Sequence, residues 1–431
     1  MTSATQSTRS SPRIATRLVV ILGLLAVLGP LTIDLYLPAF PQMQNDLDTT
    51  PAQIQTTLSA ATLGFALGQL VVGPWSDSVG RRIPLLIATA THVGASIAIA
   101  MAPEITWILA LRVVQGAGAA GGGVVALAMI RDVADGPQLI TGLARVALFT
   151  GIAPVVAPFL GAELMHLLDW RGIFVIVAGY GAVMVATCVL WLPETLAEGH
   201  RSDRRDRRAI WHSYRVLLGN RRFVGVALIG GLMVSSVFAY LSASSFLFQQ
   251  QFGLTPQGYG LISAGNAVAF VTGTQASAIF AQRRSPVVVL TVVLPTMALT
   301  GFGLSVLPPF LPGLPPITVI MLLFFALAGA CGPCLGAIAL GDQAARAGTA
   351  AAVMGAANFG LAGLAAPIVG ALGVTTFRPL GLVMGFAMAV ATLLLWFMVA
   401  TRTGVAPRAS GGRVVGRRRG NPRERQARTG R

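Results

Sequence analysis

Residues 73–86 read Gly73-Pro74-Trp75-Ser76-Asp77-Ser78-Val79-Gly80-Arg81-Arg82-Ile83-Pro84-Leu85-Leu86. An acid, a glycine and two adjacent arginines make a short polar hinge between two apolar runs, 56–75 and 83–102. About 20 apolar residues cross a ~30 Å hydrocarbon core as one helix, so each run has membrane length. The hinge therefore turns the chain back at a membrane face. Gly80 permits the sharp turn, Gly73 allows two helices to approach closely, and Asp77 can cap a helix or pair across to another part of the chain.

Moving outward, the pattern repeats. Apolar runs fall at 18–38, 56–75, 83–102, 107–129, 139–162 and 173–192, and again at 223–248, 258–281, 286–307, 316–341, 349–372 and 379–401. Only 11% of the 431 residues are charged and 54% are hydrophobic; soluble domains carry roughly 25% charged residues, because a water-facing surface needs them. The expected fold is an all-α membrane protein of twelve transmembrane helices. A basic linker, 193–222, separates a six-helix half at 18–192 from a second at 223–401, with a tail at 1–17 and an Arg-rich tail at 402–431. The halves carry a faint repeat: Arg81-Arg82-Ile83-Pro84 opens the third run and Arg283-Arg284-Ser285-Pro286 the ninth. Parallel repeats of this kind occur in secondary transporters.

Arginine placement gives orientation. All 31 basic residues are Arg, and 27 lie in the tails and the even-numbered loops. The odd-numbered loops hold only Arg171 and Arg378, while Arg112 and Arg145 lie inside runs. The positive-inside rule puts both termini in the cytoplasm. The net charge of +16 is concentrated in polar stretches beside a membrane. These attract anionic headgroups at ~1 kcal/mol per charge, so the expected partner is anionic lipid at the Arg-rich loop and tail, not nucleic acid. The first apolar run is too long for a signal-peptide core and is expected to stay attached as the first span.

Several chemistries are excluded. Cys188, Cys331 and Cys334 each sit in an apolar run and His92, His166, His200 and His212 have no metal spacing, so no metal site is expected. Cys331-Gly332-Pro333-Cys334 lacks the accessible helix N-terminus that a redox motif needs. Gly116-Ala117-Gly118-Ala119-Ala120-Gly121 matches a dinucleotide fingerprint but begins mid-helix, where small-residue packing explains it better. No ATP-binding loop is present. The external loops are short, and no polar catalytic cluster suggests an enzyme.

The hinge, with Gly73, Asp77, Gly80, Arg81 and Arg82 at the right spacing, resembles the G-x-x-x-D-x-x-G-R-[RK] loop signature of the major facilitator superfamily. Arg112, Gln115 and Gly116 resemble its fourth-span R-x-x-Q-G. The stretch Gly151–Gly161 resembles the fifth-span pattern of exporters, in which Pro158 and Gly161 match while Ala153, Ala157 and Ala162 replace glycines; Pro154 lies between. Leu28–Pro41 (with Asp34, Tyr36 and Pro38), Asp169–Phe174, Leu192–Leu196, Gly260 with Asn266, and Ala347–Ala350 are similar to the Bcr/CflA group of drug:proton antiporters. The resemblance implies two six-helix pseudo-repeats, a monomer in the bacterial plasma membrane, and export of drugs or other small lipophilic molecules. The drive would be the proton gradient, with no cofactor. The alternative on the same fold is a metabolite exporter for an amino-acid derivative, sugar or siderophore.

Ionisable groups inside spans are expensive and mark function by default. Asp34 lies roughly 25 Å from the Arg17 edge and Arg112 roughly 8 Å from the opposite edge at 1.5 Å per residue, so they share a depth, and Gln115 shares a helix face with Arg112. In the family both spans line the central cavity, which would let Asp34 and Arg112 meet as a coupling site or a structural pair. Arg145, roughly 10 Å from the Arg-rich edge, is expected to be structural. Asp342 is expected near the cytoplasmic end of span ten, leaving the second half without a deep acid. Phe246 is a candidate cavity aromatic.

Overall fold

The computed structural model describes residues 12–134, 136–196, 207–308, 310, 313–341, 347–373 and 376–399. The tail 402–431, Asp342 and most of 1–17 lie outside these residues. The chain forms α1 (Pro12–Asp34), α2 (Phe40–Asp46), α3 (Pro51–Val79), α4 (Arg82–Ala100), α5 (Ile105–Val133), α6 (Gly136–Leu164) and α7 (Trp170–Trp191) in the first half. A linker helix α8 (Arg207–Gly219) leads to α9 (Arg221–Phe246), α10 (Pro256–Arg283), α11 (Pro286–Val306), α12 (Leu314–Gly341), α13 (Ala347–Leu372) and α14 (Phe377–Leu394). Setting aside the short α2 and α8, twelve long helices remain, one for each apolar run. Eleven are long and apolar enough to cross a membrane by length and composition alone. The twelfth, α10, is diluted by Gln257, Ser263, Asn266, Thr272, Thr274 and Gln275.

Local chemistry sets the ends. Thr50 caps α3 by accepting from the Gln53 N–H while Gln53 Oε1 accepts from the Thr50 N–H, a reciprocal box that satisfies two otherwise orphaned donors. At the other end of α3, Gly80 has φ of 106°, a conformation open to glycine and strained for other residues. The turn expected from the hinge is therefore built on Gly80.

Small residues then set the packing. A Cβ on Gly64 or Gly116 would strike the backbone of the facing helix, at Val113 and Ala61 respectively, so α3 and α5 touch backbone to backbone. Gly118 and Gly121 seat against Ala88 of α4, which makes the 116–121 glycines a packing face. The second half repeats the device: Gly273 meets Ala326 and Gly329 meets Phe270, closing α10 on α12. The halves join through α3 against α13 and α6 against α10, equivalent pairings under the repeat. Gly73 does not serve the close approach expected of it. A Cβ there would meet only a Val124 methyl at 3.4 Å, because α3 and α5 have already diverged.

The linker departs from a uniformly polar reading. Its helix α8 buries Leu217 completely and leaves His212 and Leu218 exposed, and it packs on α9 and α13.

Candidate functional site between the two halves

We call the end bearing Arg81, Arg82 and Arg131 the Arg-rich end and its opposite the far end. At the far end α1 stops at Asp34, and a single 3-10 turn, Leu37–Ala39, leads into α2. Asp34, expected inside a span, is therefore the last residue of its helix. Its side chain is buried, and no described residue hydrogen-bonds its carboxylate. Tyr36 lies two residues on, fully buried, and its hydroxyl meets Thr57 Oγ1 at 3.1 Å.

Arg112 is the hub. Its guanidinium has no solvent exposure, a burial that costs several kcal/mol unless the donors are satisfied; Nε and Nη1 find partners, while Nη2 has none among the described residues. Nη1 donates to Gln115 Oε1 at 2.6 Å and to the Thr32 carbonyl at 3.1 Å, and Nε donates to the Thr57 carbonyl at 3.3 Å. The Tyr36 ring faces it, 4.1 Å from ring centre to guanidinium carbon. Gln115 passes the chain on: Nε2 donates to Ser96 Oγ at 2.8 Å, and Ser96 donates to the His92 carbonyl at 2.7 Å. One cation thus ties α1, α3, α4 and α5 together.

Among the described residues no ion pair joins Arg112 to Asp34. The close pair suggested by their common depth is absent from this conformation, because depth alone leaves helix rotation free. Arg112 instead reaches Thr32, half a turn before Asp34. Tyr259 lies on α10, which packs on the Leu37–Ala39 turn just past Asp34, so the second half covers this end of α1.

The far end is sealed between the halves. Gln249 Nε2 donates to the Pro38 carbonyl at 2.9 Å, and Gln250 Nε2 to Gln44 Oε1 at 3.0 Å. Phe246 packs on Phe40 with ring centres 5.7 Å apart. Phe246 therefore belongs to the seal and not to an open cavity wall. On α6, Gly161 seats against the Leu35 backbone, and Ala162 meets Gly260 of α10. Ala153, Ala157 and Ala162 are buried at this seam, and α6 carries both Pro154 and Pro158.

Toward the Arg-rich end a cavity of about 720 Å³ opens between the halves, lined among others by Gln69, Asp77, Arg81, Tyr214, Thr349 and Gly355. Beside it the hinge is held within its own half. Arg81 pairs with Asp77, four residues back, and with Asp132 at 2.9 Å, at the end of α5. Burial opposes the Arg81 charge, but the hydrogen bonds it donates to Asp132 and Asp77 outweigh it and hold its pKa above the ordinary value. Arg82 donates to the Val189 carbonyl at 2.6 Å. Glu194 accepts from the Arg81 and Arg82 backbone N–H groups at 2.9 and 3.1 Å, capping α4. Its partial burial is outweighed by four backbone N–H donors, which hold its pKa below the ordinary value.

Sequence reasoning did not assign roles to Asp132 and Glu194. Each is a single acid just past a span, with no periodic signal to mark it. It named Asn266 only through the resemblance and missed the polar cluster around it in the second half, where Asn266 donates to Tyr240 at 2.6 Å and Ser244 meets Tyr259 at 3.1 Å. Arg145 is exposed on α6. Cys331 and Cys334 are free and buried inside α12, Cys331 against Met297.

Known proteins share this design. The Major Facilitator Superfamily profile matches residues 22–367. The "uncharacterized MFS-type transporter YdgK" of Bacillus subtilis is 32% identical over 89% of the chain and 96% of that protein. Multidrug resistance protein D of Escherichia coli is 27% identical over 89% and 96%, and the bicyclomycin resistance protein homolog of Haemophilus influenzae 25% over 88% and 95%. Among solved structures, the D-xylose-proton symporter superposes with a TM-score of 0.70 at 16% identity, covering 90% of this chain and 98% of that one. With twelve long helices in two equivalent halves and a buried arginine hub inside the first, the chain belongs to the major facilitator superfamily and is a multi-pass membrane transporter, not an enzyme.

Proposed function

We propose that the protein exports drugs or other small lipophilic molecules across the bacterial plasma membrane in exchange for protons, by alternating access. It would work as a monomer with both termini in the cytoplasm. Relatives named for multidrug and bicyclomycin resistance support the substrate class, and the one-sided arginines support the orientation.

The observation that carries the coupling is Asp34. A carboxyl buried without a hydrogen-bond partner costs far less protonated than charged. Closure of the far end over Asp34 by Tyr259 and the Gln249–Pro38 contact therefore favours its protonated form. Opening the far end restores water and lets the charged form exist. Arg112 supplies a fixed positive potential through Thr32 without neutralising the acid directly. Differential binding of protons in the two states is what coupling requires. The cavity at the Arg-rich end would receive substrate from the cytoplasm or inner leaflet. Asp77, Gly80, Arg81 and Arg82 would close it, with Asp77 exchanging Arg81 for a partner in the second half.

The test is a toxicity panel in cells with and without the gene, each with and without a protonophore, together with drug-induced proton release from purified protein. Asp34→Asn should fold, lose protonophore-sensitive resistance and release no protons. Proton release of wild-type size from Asp34→Asn would remove the assignment. Labelling of cysteines introduced in 193–222, in intact cells, would overturn the orientation.

A further inference from the structure

On the outer face of the first half, away from the transport path, α4 and α7 part to leave an open groove of about 440 Å³. Its walls are Ala90 and Val93 on α4, and Ala182, Val185, Ala186, Val189 and Leu190 on α7. Every wall side chain is aliphatic, and the alanines supply the depth. The groove opens toward the Arg-rich end, where Arg82 donates to the Val189 carbonyl at its edge. Arg17 stacks on Trp191, next to Leu190, with its guanidinium carbon 4.8 Å from the ring centre.

We propose that this groove is a binding site for one anionic glycerophospholipid of the leaflet on the Arg-rich side. An acyl chain would lie between α4 and α7, and the phosphate would lie between Arg17 and Arg82. Three observations carry the assignment.

Length is the first. From Arg82 to Val93 is roughly 16 Å at 1.5 Å per residue, close to one leaflet, or half of a ~30 Å core. The groove therefore ends where a single chain ends.

Charge is the second. Two arginines from different helices flank the mouth. Glu194, the carboxylate on the Arg82 backbone, is turned onto the N–H groups of Arg81, Arg82, Thr195 and Leu196. Arg82 is itself only partly committed. Its Nη2 bonds Val189, while its Nε lies buried without a partner, so an incoming phosphate could turn the head toward itself at little loss.

Continuity is the third. The indole of Trp191 stands at the junction of greasy groove and charged mouth, half exposed, the position that tryptophan favours at a bilayer interface. A chain seated here would contact α7, which leads directly into the Glu194 cap, so the site joins lipid identity to the hinge without entering the cavity.

The test places an environment-sensitive label on Val183→Cys, an exposed position on α7 beside the groove. The full chain is reconstituted in phosphatidylcholine with a small fraction of lipid carrying brominated, quenching chains. These are placed either on phosphatidylglycerol or on phosphatidylcholine at the same mole fraction. Brominated phosphatidylglycerol should quench at least about fivefold more, the enrichment that each cation near a membrane surface supplies. The ratio should fall partway in Arg17→Gln and toward one in the double variant Arg17→Gln/Arg82→Gln. It should also fall in Ala186→Phe, which fills the groove and keeps both cations. A label on Val292→Cys of α11 serves as the control for diffuse attraction to the arginine-rich loops. A ratio near one at position 183, an equal ratio at 292, or a ratio unchanged by both Arg17→Gln and Ala186→Phe would overturn the site.

Discussion

Replacing Gln115 by Leu tests the hub directly. The side chain is buried, and the substitution roughly conserves its size while deleting both ends of its hydrogen-bonding chain. The 2.6 Å bond from Arg112 Nη1 to Gln115 Oε1 is charge-assisted, a class worth about 1.5–3 kcal/mol. The 2.8 Å bond from Gln115 Nε2 to Ser96 is neutral and adds about 1 kcal/mol. Nη1 keeps Thr32 as a partner, so the cation is weakened and not stranded, and the two bonds together predict a loss of about 3 kcal/mol. Gln115→Glu keeps an acceptor for Arg112 and should fall much less. The buried thiols of Cys188, Cys331 and Cys334 offer the assay, through labelling by a thiol-reactive dye as detergent-solubilised protein unfolds with heat or denaturant. A stability for Gln115→Leu within about 0.5 kcal/mol of wild type, the range of an unremarkable surface change, would refute the hub as an energetic centre.

Asp77→Asn should reduce turnover more than expression, because it weakens the Arg81 contact that must break and re-form at the cavity mouth; transport assayed against folded protein would show it, and normal turnover removes the gating role. Glu194→Gln should remove part of the protein's acid sensitivity. The folded pKa of Glu194 lies below its ordinary 4.5, so its contribution is present above that value and is lost as pH falls through the folded one. Thermal stability followed from pH 7 downward should therefore drop in wild type and stay flatter in the variant, and parallel curves would argue against the cap. Cys331→Ser with Cys334→Ala should retain most transport, since both thiols only pack; loss of activity in folded protein would restore a redox role.

Spans were legible because hydrocarbon imposes one rule on every helix, and twelve runs became twelve long helices. Even α10, too polar to qualify by composition alone, was read as an apolar run at 258–281. Packing was legible where glycine clustered, as at 116–121, and misread at Gly73, because a lone glycine does not say which backbone it meets. Side-chain partnership was the least legible layer. Depth follows from counting residues, but contact also needs helix rotation and the exact end of α1. The end of α1 at Asp34 swings that carboxyl away from the guanidinium, while Thr32 and Thr57 offer backbone carbonyls that no sequence pattern marks.

Among the described residues, the hydrogen bonds of Arg112 end on the first half, at Thr32, Thr57 and Gln115, and its aromatic neighbours Tyr36 and Phe174 belong there too. On the proposed alternating access, the cation travels with the first half as the halves rock, and its potential at Asp34 stays nearly constant between states. What changes around Asp34 is what the second half brings: the Tyr259 ring, the Gln249 amide on Pro38, and the exclusion of water by Phe246 on Phe40. On the proposed reading, then, Arg112 sets the level about which the affinity of Asp34 for a proton moves, and the far-end seal moves it. Weakening the seal with Gln249→Ala should shift the pH at which protons are taken up while leaving the stability of the first half unchanged, whereas Gln115→Leu should disturb both. Identical effects of the two substitutions on proton uptake and on stability would contradict that division of labour.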